Sequence, residues 1–323
     1  MHRPFRLPWT SPSYPGPFSW SSPSSGEDEA PGALALAYSV SDPWGHVVAM
    51  CAWLHAHENA GQAIESSVWD PARERFVGGP LDGKDLGAVR GQGEEVVLPV
   101  IFEADSGQVR CDDPIAIARA LTPGLFVAHG RDIDAEMESL REGVLDAVYA
   151  LGRIDDQATY EEAHARLEAS LEVLDETLQD LRYLGDSTPN ILDYILFSFT
   201  CRLEPVYYEL YKASVGWLDN YPSLLDHARD LYELPEVHET TDFERIKQGH
   251  YLLEPLLNPK QIIPLGGIPD LDAPHFRAEW FGQDGEGGTE ENQDLTRGDG
   301  EWVRPVSDER GWISPNPNAR YPA

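Results

Sequence analysis

Lysine is nearly missing from this sequence: Lys84, Lys212, Lys247 and Lys260 are the only four in 323 residues. The 24 basic residues face 56 acidic ones, which gives a formal net charge of -32 spread along the whole chain. A surface of that sign repels nucleic acid and anionic membranes, which excludes both as expected partners. Cysteine is also scarce. Cys51, Cys111 and Cys201 are odd in number and lack CxxC spacing, so a disulfide framework and a zinc cluster are both excluded. Long apolar runs are missing too. No segment approaches the length of a membrane span, and the first twenty residues carry two arginines but no continuous apolar stretch. A cytoplasmic location is therefore expected.

The acid that is present sits on ordinary helical patterns such as 160–182, and with so little lysine we read this as adaptation to high salt. Concentrated electrolyte screens the self-repulsion, and carboxylates keep the surface hydrated. The hydrophobic content of 41% is enough for two buried cores in a chain of this length.

Residues 1–32, dense in Pro, Ser and Gly, read as an extended arm. GALALAYSV, from Gly32, reads as a strand. The following SDPWGHVVAMCAWLHAHE reads as a helix entered through Asp42 as N-cap and Pro43 at its first position. A second strand is expected near AIESSVW. VVLPVIFEAD and GQVRC read as a hairpin closed by Asp105, Ser106 and Gly107, and Pro99 fits the start of a strand if its peptide bond is cis. DDPIAIARAL then opens a helix capped by Asp112 or Asp113. Strand, helix, three strands and helix is the minimal thioredoxin arrangement.

Beyond Thr122 the pattern is helical. Ala163, Leu167, Leu171, Leu174, Leu178 and Leu181 form one apolar stripe, and further helices are expected at 134–151, 190–210 and 221–233, with Asn190 and Asp193 as an N-x-x-D capping box. The expected division is 1–32 arm, 33–121 thioredoxin-like α/β domain, 122–250 all-α domain, 251–280 C-terminal extension and 281–323 acidic Gly-rich tail.

Several stretches resemble the xi class of glutathione transferases, the glutathionyl-hydroquinone reductases, over roughly 33–277. They are VYALG around Tyr149, YLGD at 183–186, RLEPVYYELYK at 202–212, NYPSLLDHARDLYELPEVHETTDFERIKQGHY at 220–251 and NPKQIIPLGGIPDLDAPH at 258–275. The resemblance implies a thioredoxin-like domain followed by a helical domain, and a homodimer. It also implies a low-molecular-weight thiol as co-substrate, glutathione or a relative such as gamma-glutamylcysteine, and a small aromatic or quinone-like ligand.

The family's first-helix motif is Ser, two residues, then Cys-Pro-Trp-Ala-His-Arg, and the matching run here is SVSDPWGHV. Pro43, Trp44 and His46 match. Asp42 stands at the cysteine position and Val47 at the arginine position. A helix N-terminus turns a thiol into a nucleophilic thiolate, whereas a carboxylate there is a weak nucleophile and a good cap. The cysteine-dependent reductase step is thus expected to be lost. Whether the chain remains an enzyme stays open, with Ser39, Ser41 and Tyr38 as hydroxyls that could steady a bound thiolate; the alternative is a non-catalytic binding or structural protein.

For thiol binding the resemblance implies Trp44 and the Val97, Leu98 and Pro99 backbone. It also implies an acidic pair in which Asp112 meets the ligand's ammonium, while Asp113 stands where the family has a serine. For the aromatic ligand it implies Tyr149, Tyr207 and Tyr251. The carboxylates Asp42, Asp112 and Asp113 could instead converge on a hard cation, but isolated caps are the simpler reading and no metal site is assigned.

Overall fold

The computed structural model describes residues 33–59, 63–89, 97–127, 132–184 and 187–281. The arm at 1–32 and the tail beyond 281 expected from sequence lie outside the described residues. A five-stranded sheet comes first, in the order β3-β2-β1-β4-β5, from β1 (Leu34–Tyr38), β2 (Glu65–Asp70), β3 (Arg75–Val77), β4 (Val100–Glu103) and β5 (Val109–Cys111). The central β1 pairs parallel with β2, as Leu36 opposite Ser66, and antiparallel with β4, as Leu36 opposite Ile101. The Leu98–Pro99 bond is cis, and β4 begins one residue later.

Alternation along β1 sorts the core. Leu36 points into the large cluster that runs on through the helices, while Ala35 and Ala37 point to the other face and leave room for Trp69, Phe76 and Phe102. Helix α1 (Pro43–Glu58) crosses the first face and packs against α2 (Pro114–Leu121).

The helical half follows as α3 (Ile133–Leu140), α4 (Asp146–Leu151), α5 (Gln157–Asp180), α6 (Ile191–Arg202), α7 (Tyr208–Leu210), α8 (Pro222–Tyr232), α9 (Pro235–Thr240), α10 (Phe243–Leu253) and α11 (Arg277–Phe281). No helix of the described residues is long and apolar enough to cross a membrane. Two expected helices are interrupted. The 134–151 pattern divides into α3 and α4 around a π-helical segment, Arg141–Leu145, and 190–210 divides into α6 and α7 around a second, Leu203–Tyr207. Pro205 explains the second: it has no N–H to give and crowds the preceding turn, so the backbone widens by one residue. On α5 the stripe holds at Leu167, Leu171 and Leu178, but Leu181 is the C-cap and is 38% exposed.

Buried cations close helix ends and loops here mainly by donating to main-chain carbonyls. Arg277 donates to Leu178 O at 2.9 Å and Leu181 O at 2.6 Å, satisfying the end of α5. Lys247 donates to Pro264 O and Gly266 O, which pins the segment after α10. The start of α8 is capped from across the fold, where Asp175 of α5 accepts the Ser223 and Leu224 N–H groups at 2.7 and 2.9 Å.

Candidate functional site

The sequence places Asp-Pro at the head of α1, and Asp42 performs the N-cap: its Oδ1 accepts the Gly45 N–H at 2.9 Å. The residue is buried. Burial pushes its carboxyl up to about 6, against the opposing effects of the Gly45 N–H and the Arg202 charge. Ser39 and Ser41, also buried, bond to each other at 2.8 Å. Tyr38 ends β1 half-buried, and burial raises its hydroxyl above the ordinary value despite the charge of Arg245.

Two glycines let this loop settle so deeply. A Cβ on Gly45 would lie 2.0 Å from Ser39 O, and one on Gly249 would lie 2.1 Å from Ser41 Cβ.

From the helical half, fully buried Arg202 reaches the same loop. Its Nε donates to Ser41 O at 3.2 Å, and its Nη2 donates to Val40 O at 2.6 Å and Asp42 O at 3.3 Å. Its Nη1 donates to Ser198 O and lies 3.3 Å from both His46 Nδ1 and Cys201 Sγ. With Nδ1 accepting, the proton of neutral His46 sits on Nε2, which faces Thr241 Oγ1 at 3.4 Å. Burial first, then the Arg202 charge, holds His46 well below its usual range and takes His250 to about 3.

The expected aromatic-ligand residues divide. Tyr149 and Tyr207 are buried in a nest with Tyr211 and His250, their ring centroids 4.9–6.3 Å apart. Tyr251 sits apart and donates to Pro205 O at 3.3 Å. A concavity of about 400 Å³ opens beside it, walled by Leu210, Leu256, Ile262 and Pro264. Another of about 490 Å³ lies between Tyr232, His238 and Asp272; neither is lined by Asp42, Pro99, Tyr149 or Tyr207.

Of the expected thiol-binding groups, Val97 is 45% exposed beside the cis Leu98–Pro99 bond, Trp44 is half-buried and Asp112 is exposed. Asp113 is buried and occupied: its Oδ1 accepts the Ile115 and Ala116 N–H groups of α2, both at 2.9 Å. Asp42 and Asp113 therefore each turn a carboxylate onto their own helix. A different trio, Asp230, Glu233 and His275, has ligand atoms within 4.8 Å of one another. Arg182 already grips Asp230 at 2.8 and 2.9 Å, and His275 Nδ1 accepts the Arg277 N–H, which leaves the proton on Nε2 and no lone pair for a metal.

Buried Asp42 makes the stability of the fold depend on pH. A carboxyl whose folded pKa is raised contributes stability that is present below its unfolded value and lost as pH rises through about 6. Asp42→Asn keeps a capping oxygen without the charge. It is expected to gain up to about 3 kcal/mol on the native protein at pH 7, two pKa units' worth, and to lose that advantage below pH 4. Urea unfolding at both pH values in molar salt measures it; an equal difference at both would sink the assignment.

Sequence reasoning gave Arg202 no role; the Gly249-His250-Tyr251 run left open whether His250 or Tyr251 stands for the family's third tyrosine, and His250 is the one in this cluster. The fold has known relatives. The family described as glutathione S-transferase, C-terminal domain, matches residues 157–230. The glutathionyl-hydroquinone reductase YqjG of Escherichia coli is 33% identical over 139 residues, 43% of this chain and 42% of that protein, so the matched region spans less than half of that relative. Among solved structures, the xi class transferase from Natrialba magadii is 25% identical, with a TM-score of 0.68 over 81% of this chain and 90% of its own. The glutathione-bound structure of YqjG shares the fold, at 24% identity and a TM-score of 0.63 over 76% of this chain and 87% of its own. Its thioredoxin-like sheet and helical half give the chain the fold of the glutathione transferases, with a matched transferase C-terminal domain and similarity to xi-class members.

Proposed function

We propose that this chain is a xi-class transferase from which the cysteine-dependent reductase step is lost, working in the cytoplasm as a homodimer on the domain plan given above. The observation that carries the proposal is Asp42 itself, a buried carboxylate spent on capping α1. In a reductase of this kind a thiolate attacks the thioether sulfur of a glutathionyl-hydroquinone, the hydroquinone leaves, and a second thiol resolves the mixed disulfide. A carboxylate cannot form that sulfur–sulfur bond.

What remains supports a thiol ligand with a quinone-like partner: the exposed Val97 beside cis Pro99, Asp112 as the partner of an ammonium group, and the glutathione held by the YqjG structure. Asp113 favours a second reading, a non-catalytic binding or structural protein. Its Oδ1 is occupied by the N–H groups of α2, and the resemblance puts it at the position that would meet the ligand's α-carboxylate, where like charges repel at contact.

The test is turnover of a menadione–glutathione conjugate in molar salt, together with calorimetric binding of glutathione and gamma-glutamylcysteine. The native protein is expected to reduce no conjugate, and Asp42→Cys to gain activity if the remaining site is intact. Reduction by the native protein would overturn the proposal. Saturable thiol binding by the native protein supports the transferase reading, and its absence in both proteins supports the scaffold.

A further inference from the structure

We infer that Arg202 is the positioning residue for whatever group stands at residue 42: it fixes the loop that carries that group and supplies the positive charge turned toward it. The inference rests on the reading that residue 42 is the chemical centre of the site. Arg202 ends α6, some 160 residues away in sequence, yet its donors reach the carbonyls of Val40, Ser41 and Asp42 in succession. Three consecutive carbonyls gripped by one planar fork leave the β1–α1 loop one conformation, and only arginine offers five donors in that geometry.

No ion pair neutralises Arg202 among the described residues. Its remaining contacts are Ser198 O, His46 Nδ1 and Cys201 Sγ, all uncharged. The other titratable groups facing the cluster are His46 from α1, Tyr149 from α4, His250 from α10, Cys201 from α6 and Tyr207 from the π-helical segment. Burial keeps all five neutral. The guanidinium is therefore the full charge that an acid at residue 42 meets, added to the partial positive charge of the α1 N-terminus. Gly249 and Gly45 complete the seat, because either Cβ would push the loop off the guanidinium.

The experiment places a thiol at residue 42 and varies the cation. Asp42→Cys is made alone, with Arg202→Lys and with Arg202→Met. The thiol at 42 is titrated by its ultraviolet thiolate absorbance, each variant as a difference from the protein with the same residue 202 and Asp42 in place, so that the three native cysteines, Cys201 beside Arg202 included, cancel. Arg202→Met is expected to raise the midpoint by one pH unit or more, about tenfold less thiolate at a given pH. Arg202→Lys, which keeps charge but not the fork, is expected to fall between. Melting temperatures identify any variant that fails to fold, in which case the lysine variant decides. A midpoint unmoved in the folded variants overturns the inference. Conjugate turnover is read separately: a shifted midpoint keeps Arg202 even where the native protein reduces the conjugate and the functional proposal fails, and an unmoved midpoint overturns the inference while an inactive native protein keeps the proposal.

Discussion

Replacing Asp193 by alanine is expected to cost the fold about 3–5 kcal/mol, the range for breaking a buried charged network by removing one partner. Asp193 is fully buried at the first turn of α6 and accepts three hydrogen bonds. They come from the Asn190 N–H at 2.9 Å, the Leu184 N–H at 2.8 Å and His227 Nε2 at 2.8 Å. Alanine would leave all three donors facing an apolar interior, and the His227 ring has no other hydrogen-bond partner, because its Nδ1 is unbonded. Asp193→Asn keeps one acceptor and turns an amide against a donor, so its loss should be intermediate. Urea unfolding in molar salt measures both, and a loss below about 1 kcal/mol for alanine would show that this junction does not organise the helical half. The consequence reaches the site, because α6 begins at this network and ends at Arg202.

The sequence made some of this legible and hid the rest for identifiable reasons. Asp42 as a cap followed from Asp-Pro before an apolar run, and the capping box at Asn190 and Asp193 from its spacing; both are local chemistry. The succession of strands and helices along the chain was legible because the apolar runs at β1, β2 and β4 are separated by turn residues. Strand β3 was not: three residues at a sheet edge are too few to show a period of two. Pro205 could have marked the second π-helical segment, but Arg141–Leu145 contains no proline to announce the first. Arg202 was invisible for another reason. It acts across some 160 residues on main-chain carbonyls, which every residue carries, so no side-chain pattern points to its partners. Tyr149 and Tyr207 were legible as aromatic positions, but their burial depends on how α4 and the second π-helical segment pack and has no local signature.

In dilute buffer the protein is expected to lose its fold, and to regain it as potassium chloride is raised to molar concentration. A net charge of -32 repels itself most strongly in the compact state. The screening length falls from about 10 Å at 0.1 M to about 3 Å at 1 M, so salt removes repulsion between carboxylates a helical turn apart. Helix α5 shows the source of the strain: Glu168, Glu172 and Glu176 are exposed at successive i, i+4 positions, and each such like-charged pair is destabilising. Salt should weaken the interior little. Arg202, Lys247 and Arg277 hold their segments mainly through carbonyls in buried surroundings, where screening is slight. Far-UV circular dichroism across a salt series, with the melting temperature at each step, gives the midpoint. Replacing Glu168, Glu172 and Glu176 together by glutamine should move that midpoint to lower salt while leaving stability at high salt nearly unchanged. A native protein that melts at the same temperature in dilute and molar salt would show an acidic surface without salt dependence. A triple variant that needs as much salt as the native chain would place the repulsion elsewhere than on α5.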